Sequence, residues 1–74
     1  METDLNHILI FATNIESPSD KQKIAALLDE NTAIQQWSID QEDIDCVLRI
    51  VSSTLLAHQL IEIVNQCHFE CKEL

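Results

Sequence analysis

The apolar residues of this chain recur with strand-like spacing, then helical, then strand-like twice, then helical, then strand-like again, and that order leaves few topologies open. Residues 6–14 read Asn-His-Ile-Leu-Ile-Phe-Ala-Thr-Asn, rich in β-branched and apolar types and too short for a helix. Alternation puts Ile8, Ile10 and Ala12 on one face of this strand and His7, Leu9, Phe11 and Thr13 on the other. Both faces are apolar, as expected of an inner strand. Ser17-Pro18-Ser19-Asp20 then signals a helix start: Ser17 suits the cap, Pro18 the first helical position, and Asp20 follows three residues after the cap. Ile24, Leu27 and Leu28 form the apolar stripe and Asn31 suits a stop, which predicts a helix over 18–30.

Residues 34–39 and 46–51 read as two further strands, Trp37 and Ile39 sharing one face of the first and Leu48 and Ile50 one face of the second. The polar joint over 40–45 predicts a hairpin with a turn longer than two residues, since no Asn-Gly or Asp-Gly is present. Ser52, Ser53 and Thr54 offer capping hydroxyls ahead of a second helix marked by Leu56, Leu60, Ile63, Val64 and Cys67. Residues 68–72 alternate as a short last strand, expected at an edge because of its charges. The order β-α-β-β-α-β is the ferredoxin-like α+β arrangement: a four-stranded antiparallel sheet with two helices on one face, spanning 1–74 as one domain.

Charge narrows the function. Thirteen acidic and four basic side chains give a net charge of −9, which opposes nucleic-acid backbones and anionic membrane surfaces. The first residues are acidic where a secretory signal is basic, and no apolar run approaches the ~20 residues of a membrane span, so a cytoplasmic location without membrane insertion is expected. Three cysteines, Cys46, Cys67 and Cys71, cannot all pair within the chain and are expected as free thiols. With no glycine there is no phosphate-cradling loop, and no nucleophile comes with a recognisable base, so an enzyme is not expected.

Over essentially its whole length the chain resembles the heavy-metal-associated domains of small copper chaperones and metal-transporting ATPases. Those domains carry Met-x-Cys-x-x-Cys where the first strand turns into the first helix. With Ile24 and Leu28 matched to the helix positions of the family, Ile15 stands in the place of methionine, and Ser17 and Asp20 in the places of the two metal-binding cysteines. Phe69 falls where the family has an aromatic residue or lysine, and Ile34, Trp37 and Ile39 match its second-strand pattern. The resemblance implies the fold, but the donor atoms differ. Soft thiolates select Cu(I) or Zn(II), whereas a hydroxyl and one hard carboxylate do not. Ser17 and Asp20 are therefore expected to cap each other through the helix-start amides and to bind no metal.

Two functions are compatible with this pattern. In the first, the chain is a non-catalytic module without cofactor that binds a protein partner or a second copy of itself. Leu9, Phe11, Val47 and Val51, which alternate away from Ile8, Ile10, Leu48 and Ile50, are the candidates for its exposed sheet face. In the alternative, copper or zinc is handled by cysteines outside the family's motif, with Cys67, His68 and Cys71 as ligands or with cysteines contributed across a dimer. Burial of Cys67 on the helix stripe and placement of His68 and Cys71 on opposite strand faces weigh against that cluster. The acidic run Asp40, Glu42, Asp43 and Asp45 lacks the glycine and spacing of a calcium loop and reads as a solvated hairpin that would favour a basic partner.

Overall fold

The computed structural model describes residues 7–74, so Asn6, the expected first strand residue, lies outside them. Six elements follow the expected order: β1 (Ile8–Thr13), α1 (Pro18–Glu30), β2 (Gln36–Asp40), β3 (Val47–Val51), α2 (Ala57–Gln66) and β4 (Cys71–Glu73). The strands form one antiparallel sheet in the order β2-β3-β1-β4, which leaves β2 and the charged β4 at the edges. This is the ferredoxin-like βαββαβ fold. Ile24 and Leu28 of α1 and Leu60 and Val64 of α2 pack with Ile15 and with Phe11, Leu48 and Ile50 of the sheet to form the core. Trp37 spans from β2 to α1, where its indole Nε1 donates to Asp29 Oδ1 at 2.8 Å.

Register fixes which face of the sheet these helices cover. Leu9 pairs with Ile50 and Phe11 with Leu48, and directly opposed residues of an antiparallel pair project to the same side. Phe11 is therefore in the core at 0% exposure and Leu9 is packed against it, which corrects the expectation that both line the open face. Because β1 is apolar on both faces, its own alternation carries no sign, and pairing with Leu48 and Ile50 decides it. Val47 and Val51 do lie on the open face, together with Ile8, Ile10 and Ala12. Two of these differ from the expected grouping of Ile8 and Ile10 with Leu48 and Ile50.

Element ends shift where the backbone leaves extended geometry. Cys46 adopts a left-handed φ of 45° and closes the hairpin turn rather than starting β3, its amide bonded to the Asp43 carbonyl at 2.9 Å. Ser52 does not cap α2: its buried hydroxyl donates to the Ala33 carbonyl at 2.6 Å and accepts the Leu55 amide at 3.0 Å, which locks the turn after β3. The cap position of α2 is Leu56, whose amide donates to Gln59 Oε1 at 2.9 Å. A leucine side chain has no acceptor, so only this half of a capping box exists there. His68, with φ 67°, lies in the turn after α2 and not in β4.

Candidate functional site

Three connections meet at one end of the sheet: the β1–α1 turn, the β2–β3 hairpin and the α2–β4 turn. Thr13 joins the first two. Its amide donates to the Asp45 carbonyl at 2.9 Å, its Oγ1 donates to the Cys46 carbonyl at 2.7 Å, and the same Oγ1 accepts the Ile15 amide at 3.2 Å. Gln41, at the start of the hairpin turn, reaches across with Nε2 to the carbonyls of Ser17 at 2.8 Å and Ile15 at 3.3 Å. Asn14 Oδ1 accepts the Glu70 amide at 2.8 Å and so ties in the third connection. Neither Gln41 nor Asn14 stands out in the sequence, because their partners are backbone groups 24 or more residues away.

Within this frame Ser17 and Asp20 form a complete capping box. The Asp20 amide donates to Ser17 Oγ at 3.0 Å, and Asp20 Oδ2 accepts the Ser17 amide at 3.3 Å and the Glu16 amide at 3.3 Å. Ser17 Oγ and Asp20 Oδ2 thus cap the start of α1, as sequence spacing predicts. Ile15, just ahead of the cap, is fully buried in the core and offers no donor atom. Hydroxyl and carboxylate oxygens that already cap amides do not fit a soft monovalent ion.

Charge follows from the same contacts. The hydrogen bond from the Ser17 amide holds the Asp20 carboxyl below its ordinary 3.8, against a smaller opposing effect of burial, with further help from the Ser17 hydroxyl, the Glu16 amide and nearby Lys23. A folded value below the unfolded one means that this contribution is present above pH 3.8 and is lost as pH falls through the lower folded value. Asp20→Asn is thus expected to lower the denaturant midpoint at neutral pH and to converge with the wild type well below pH 3.8. An equal deficit at both pH values would count against the carboxylate's role. Ser17→Ala removes the other half of the box and is expected to cost about 1 kcal/mol by the same measurement.

The cysteines do not gather. Among the described residues no group of three His, Cys, Asp or Glu side chains is placed to hold a metal ion, and Cys67, His68 and Cys71 are not brought together. Cys67 is the C-cap of α2 and packs against the core, His68 is exposed in the turn, and Cys71 pairs with Thr13 in β4. Burial pushes the Cys71 thiol up to about 11. Burial also raises Cys46, assisted by the charges of Glu16, Asp43, Asp45 and Asp40. Both shifts favour the protonated thiol, the form that neither attacks electrophiles nor ligates metal. At neutral pH, Cys71 is expected to react with iodoacetamide about a hundred-fold more slowly than an unperturbed cysteine, because thiolate population falls tenfold for each unit. Peptide mass spectrometry of timed samples measures this, and a rate equal to that of free cysteine would contradict the burial argument.

Outside these contacts the end of the sheet is open. A groove of about 440 Å³ lies between Ala12, Thr13, Cys71 and Lys72 on the strands and Ile44, Asp45, Asn65 and Glu70 on the loops. Ile44, at the hairpin tip, is 95% exposed. No helix among the described residues is long and apolar enough to cross a membrane.

The sequence matches no protein-family profile and no curated protein. Solved structures do resemble it. The copper(I)-loaded first domain of the human copper chaperone for SOD1 superposes with a TM-score of 0.78 at 15% identity, over 89% of each chain. The yeast copper transporter domain CCC2A, in its apo and Cu(I)-loaded states, gives a TM-score of 0.77 at 17% identity, over 90% of this chain and 93% of that one. A second structure of the yeast domain gives the same score and identity over 92% and 94%. The structural neighbours are thus heavy-metal-associated domains of copper chaperones and transporters, and the fold is shared.

Proposed function

We propose that residues 1–74 work as one non-catalytic, cytoplasmic protein-interaction module on the scaffold of a heavy-metal-associated domain, with the soft-metal turn converted into a helix cap. The observation that carries this reading is the reciprocal capping by Ser17 and Asp20 at the position where the family holds its two cysteines. A copper-carrying role asks for two thiolates at an accessible turn, and here that turn presents oxygens already bonded to helix amides. What remains of the scaffold is a sheet with one face open and a loop-lined end carrying an exposed isoleucine. Both are surfaces for protein contact.

Copper or zinc handling through the remaining cysteines is the competing reading. It draws on the copper-binding neighbours but finds no converging ligand set among the described residues. A competition titration separates the two. Reduced wild-type protein is expected to leave a Cu(I)–bicinchoninate complex and a Zn(II)–chromophore complex unchanged. Stoichiometric withdrawal of either ion by the wild type would overturn the interaction reading.

A further inference from the structure

The outer strands of an antiparallel sheet carry backbone donors and acceptors with no neighbour, and natural chains blunt such edges with lysine, proline, a bulge or a very short strand. β4 is blunted: it has three residues, Cys71–Glu73, with Lys72 at its centre. β2 is not. Its five residues hold no proline, glycine or basic side chain, and they pair with β3 in unbroken register from Gln36 and Val51 to Asp40 and Val47. The phase of the ladder identifies the groups left over. The Ser52 amide donates to the His7 carbonyl at 2.9 Å, so alternation turns the backbone groups of Ile50 and Leu48 toward β1 and those of Val51, Arg49 and Val47 toward β2. Gln36, Ser38 and Asp40 meet the latter three, and the N–H and C=O groups of Trp37 and Ile39 therefore point outward. Among the described residues no loop or side chain bonds these outward backbone groups.

Another strand is what satisfies such an edge, and the side chains of β2 fit a second β2. Place two copies antiparallel about a two-fold axis that passes through Ser38, perpendicular to the sheet. Trp37 then faces Ile39 on the helix side, Gln36 faces Asp40 on the open side, and Ser38 faces Ser38 at the axis. An aromatic opposite a β-branched residue is a favoured cross-strand pair. The Gln36 amide meets a carboxylate of which only Oδ1 is already used, by the Glu42 amide at 3.1 Å. No like charges are opposed. Phase and register also agree, because Trp37 and Ile39, whose groups point outward, are the residues that exchange both backbone bonds in this pairing, while Ser38 falls at the non-hydrogen-bonded position between them. An axis at Trp37 or Ile39 would leave part of the strand unpaired, and the same operation on β4 would set Lys72 against Lys72.

We infer that β2 is the interface of a two-fold homodimer, in which the β2 strands of two copies pair antiparallel about Ser38 and join their sheets into one. This rests on the reading of the chain as an interaction module and names its partner as a second copy. Trp37 and Ile39, each half-buried at the rim of the core, cover each other across the new pair.

Sedimentation equilibrium of the reduced full chain from micromolar to millimolar concentration tests it. The wild type is expected to reach twice the 8.5 kDa monomer mass. Ser38→Lys, at an exposed position, opposes like charges at the axis and is expected to weaken association at least about tenfold, whereas Ile44→Asp at the exposed hairpin tip leaves it unchanged. Ser38→Cys gives a second readout that does not depend on the lysine variant folding. Opposed residues of a non-hydrogen-bonded pair have Cα atoms about 4.5 Å apart, within disulfide range, so glutathione disulfide is expected to convert this variant to a covalent dimer on a non-reducing gel. Ser53→Cys, exposed and outside the sheet, should cross-link no more than the wild type. A wild type that stays monomeric at every concentration overturns the inference and leaves the edge to a strand of another protein. A dimer that survives Ser38→Lys, or a Ser38→Cys chain that cross-links no faster than Ser53→Cys, overturns it as well. None of these results bears on copper affinity, so the interaction reading stands or falls separately on the titration above.

Discussion

Ser17→Cys combined with Asp20→Cys is expected to withdraw a full equivalent of Cu(I) from bicinchoninate, where the wild type is expected to withdraw none. The two positions are the N-cap and third residue of α1, three apart on a turn already held in place by Gln41 and Thr13 through backbone carbonyls and amides. Those holding bonds use neither Ser17 Oγ nor the Asp20 carboxylate, so the turn keeps its strap when both are replaced. Sulfur placed at a helix N-terminus has its thiolate favoured by the unpaired amides and the helix dipole, and paired thiolates are what Cu(I) selects. The apo form is expected to lose about 1–2 kcal/mol of stability with the capping box. If the folded double variant still leaves the chelator's copper untouched, donor chemistry at this turn is not what separates the chain from its structural neighbours, and the proposed function loses its main support.

Phe11→Ala is expected to cost about 3–5 kcal/mol, because it removes an aromatic ring with 0% exposure from a core that, among the described residues, has only eight fully buried side chains. Small domains have about 5–15 kcal/mol in total, so the variant should sit close to unfolding. With a urea slope of about 1–3 kcal/mol per molar for a small protein, the midpoint should fall by at least about 1 M. Ile44→Ala, at a site that is 95% exposed, should move it by no more than about 0.5 kcal/mol. Equal and small effects at both positions would place Phe11 on the open face and reverse the assignment of the two sides of the sheet.

Local chemistry was the legible part. The Ser17-Pro18-Ser19-Asp20 start, the stripe of Ile24 and Leu28 and the alternation of Leu48 and Ile50 each depend on neighbours within a turn or a strand, and each reads the same in sequence and structure. The capping box was visible for the same reason, since both of its halves lie within four residues. Gln41 and Asn14 were not visible, because an amide side chain that bonds a distant backbone group leaves no periodic trace. The expected cap at Ser52 failed on a similar point: its hydroxyl is taken by the Ala33 carbonyl, 19 residues earlier, before the helix begins.

The sequence by itself determined the order of elements, the hairpin, the capped helix start and the absence of sulfur from the turn between β1 and α1. Only the tertiary structure decided which face of β1 is the core. With Ile8, Leu9, Ile10 and Phe11 in succession, either phase buries apolar side chains, and a one-residue change of register exchanges the two sets completely. Pairing of Leu9 with Ile50 and Phe11 with Leu48 broke that tie, and with it assigned Ile10, Arg49 and Lys72 to the side that the helices leave uncovered.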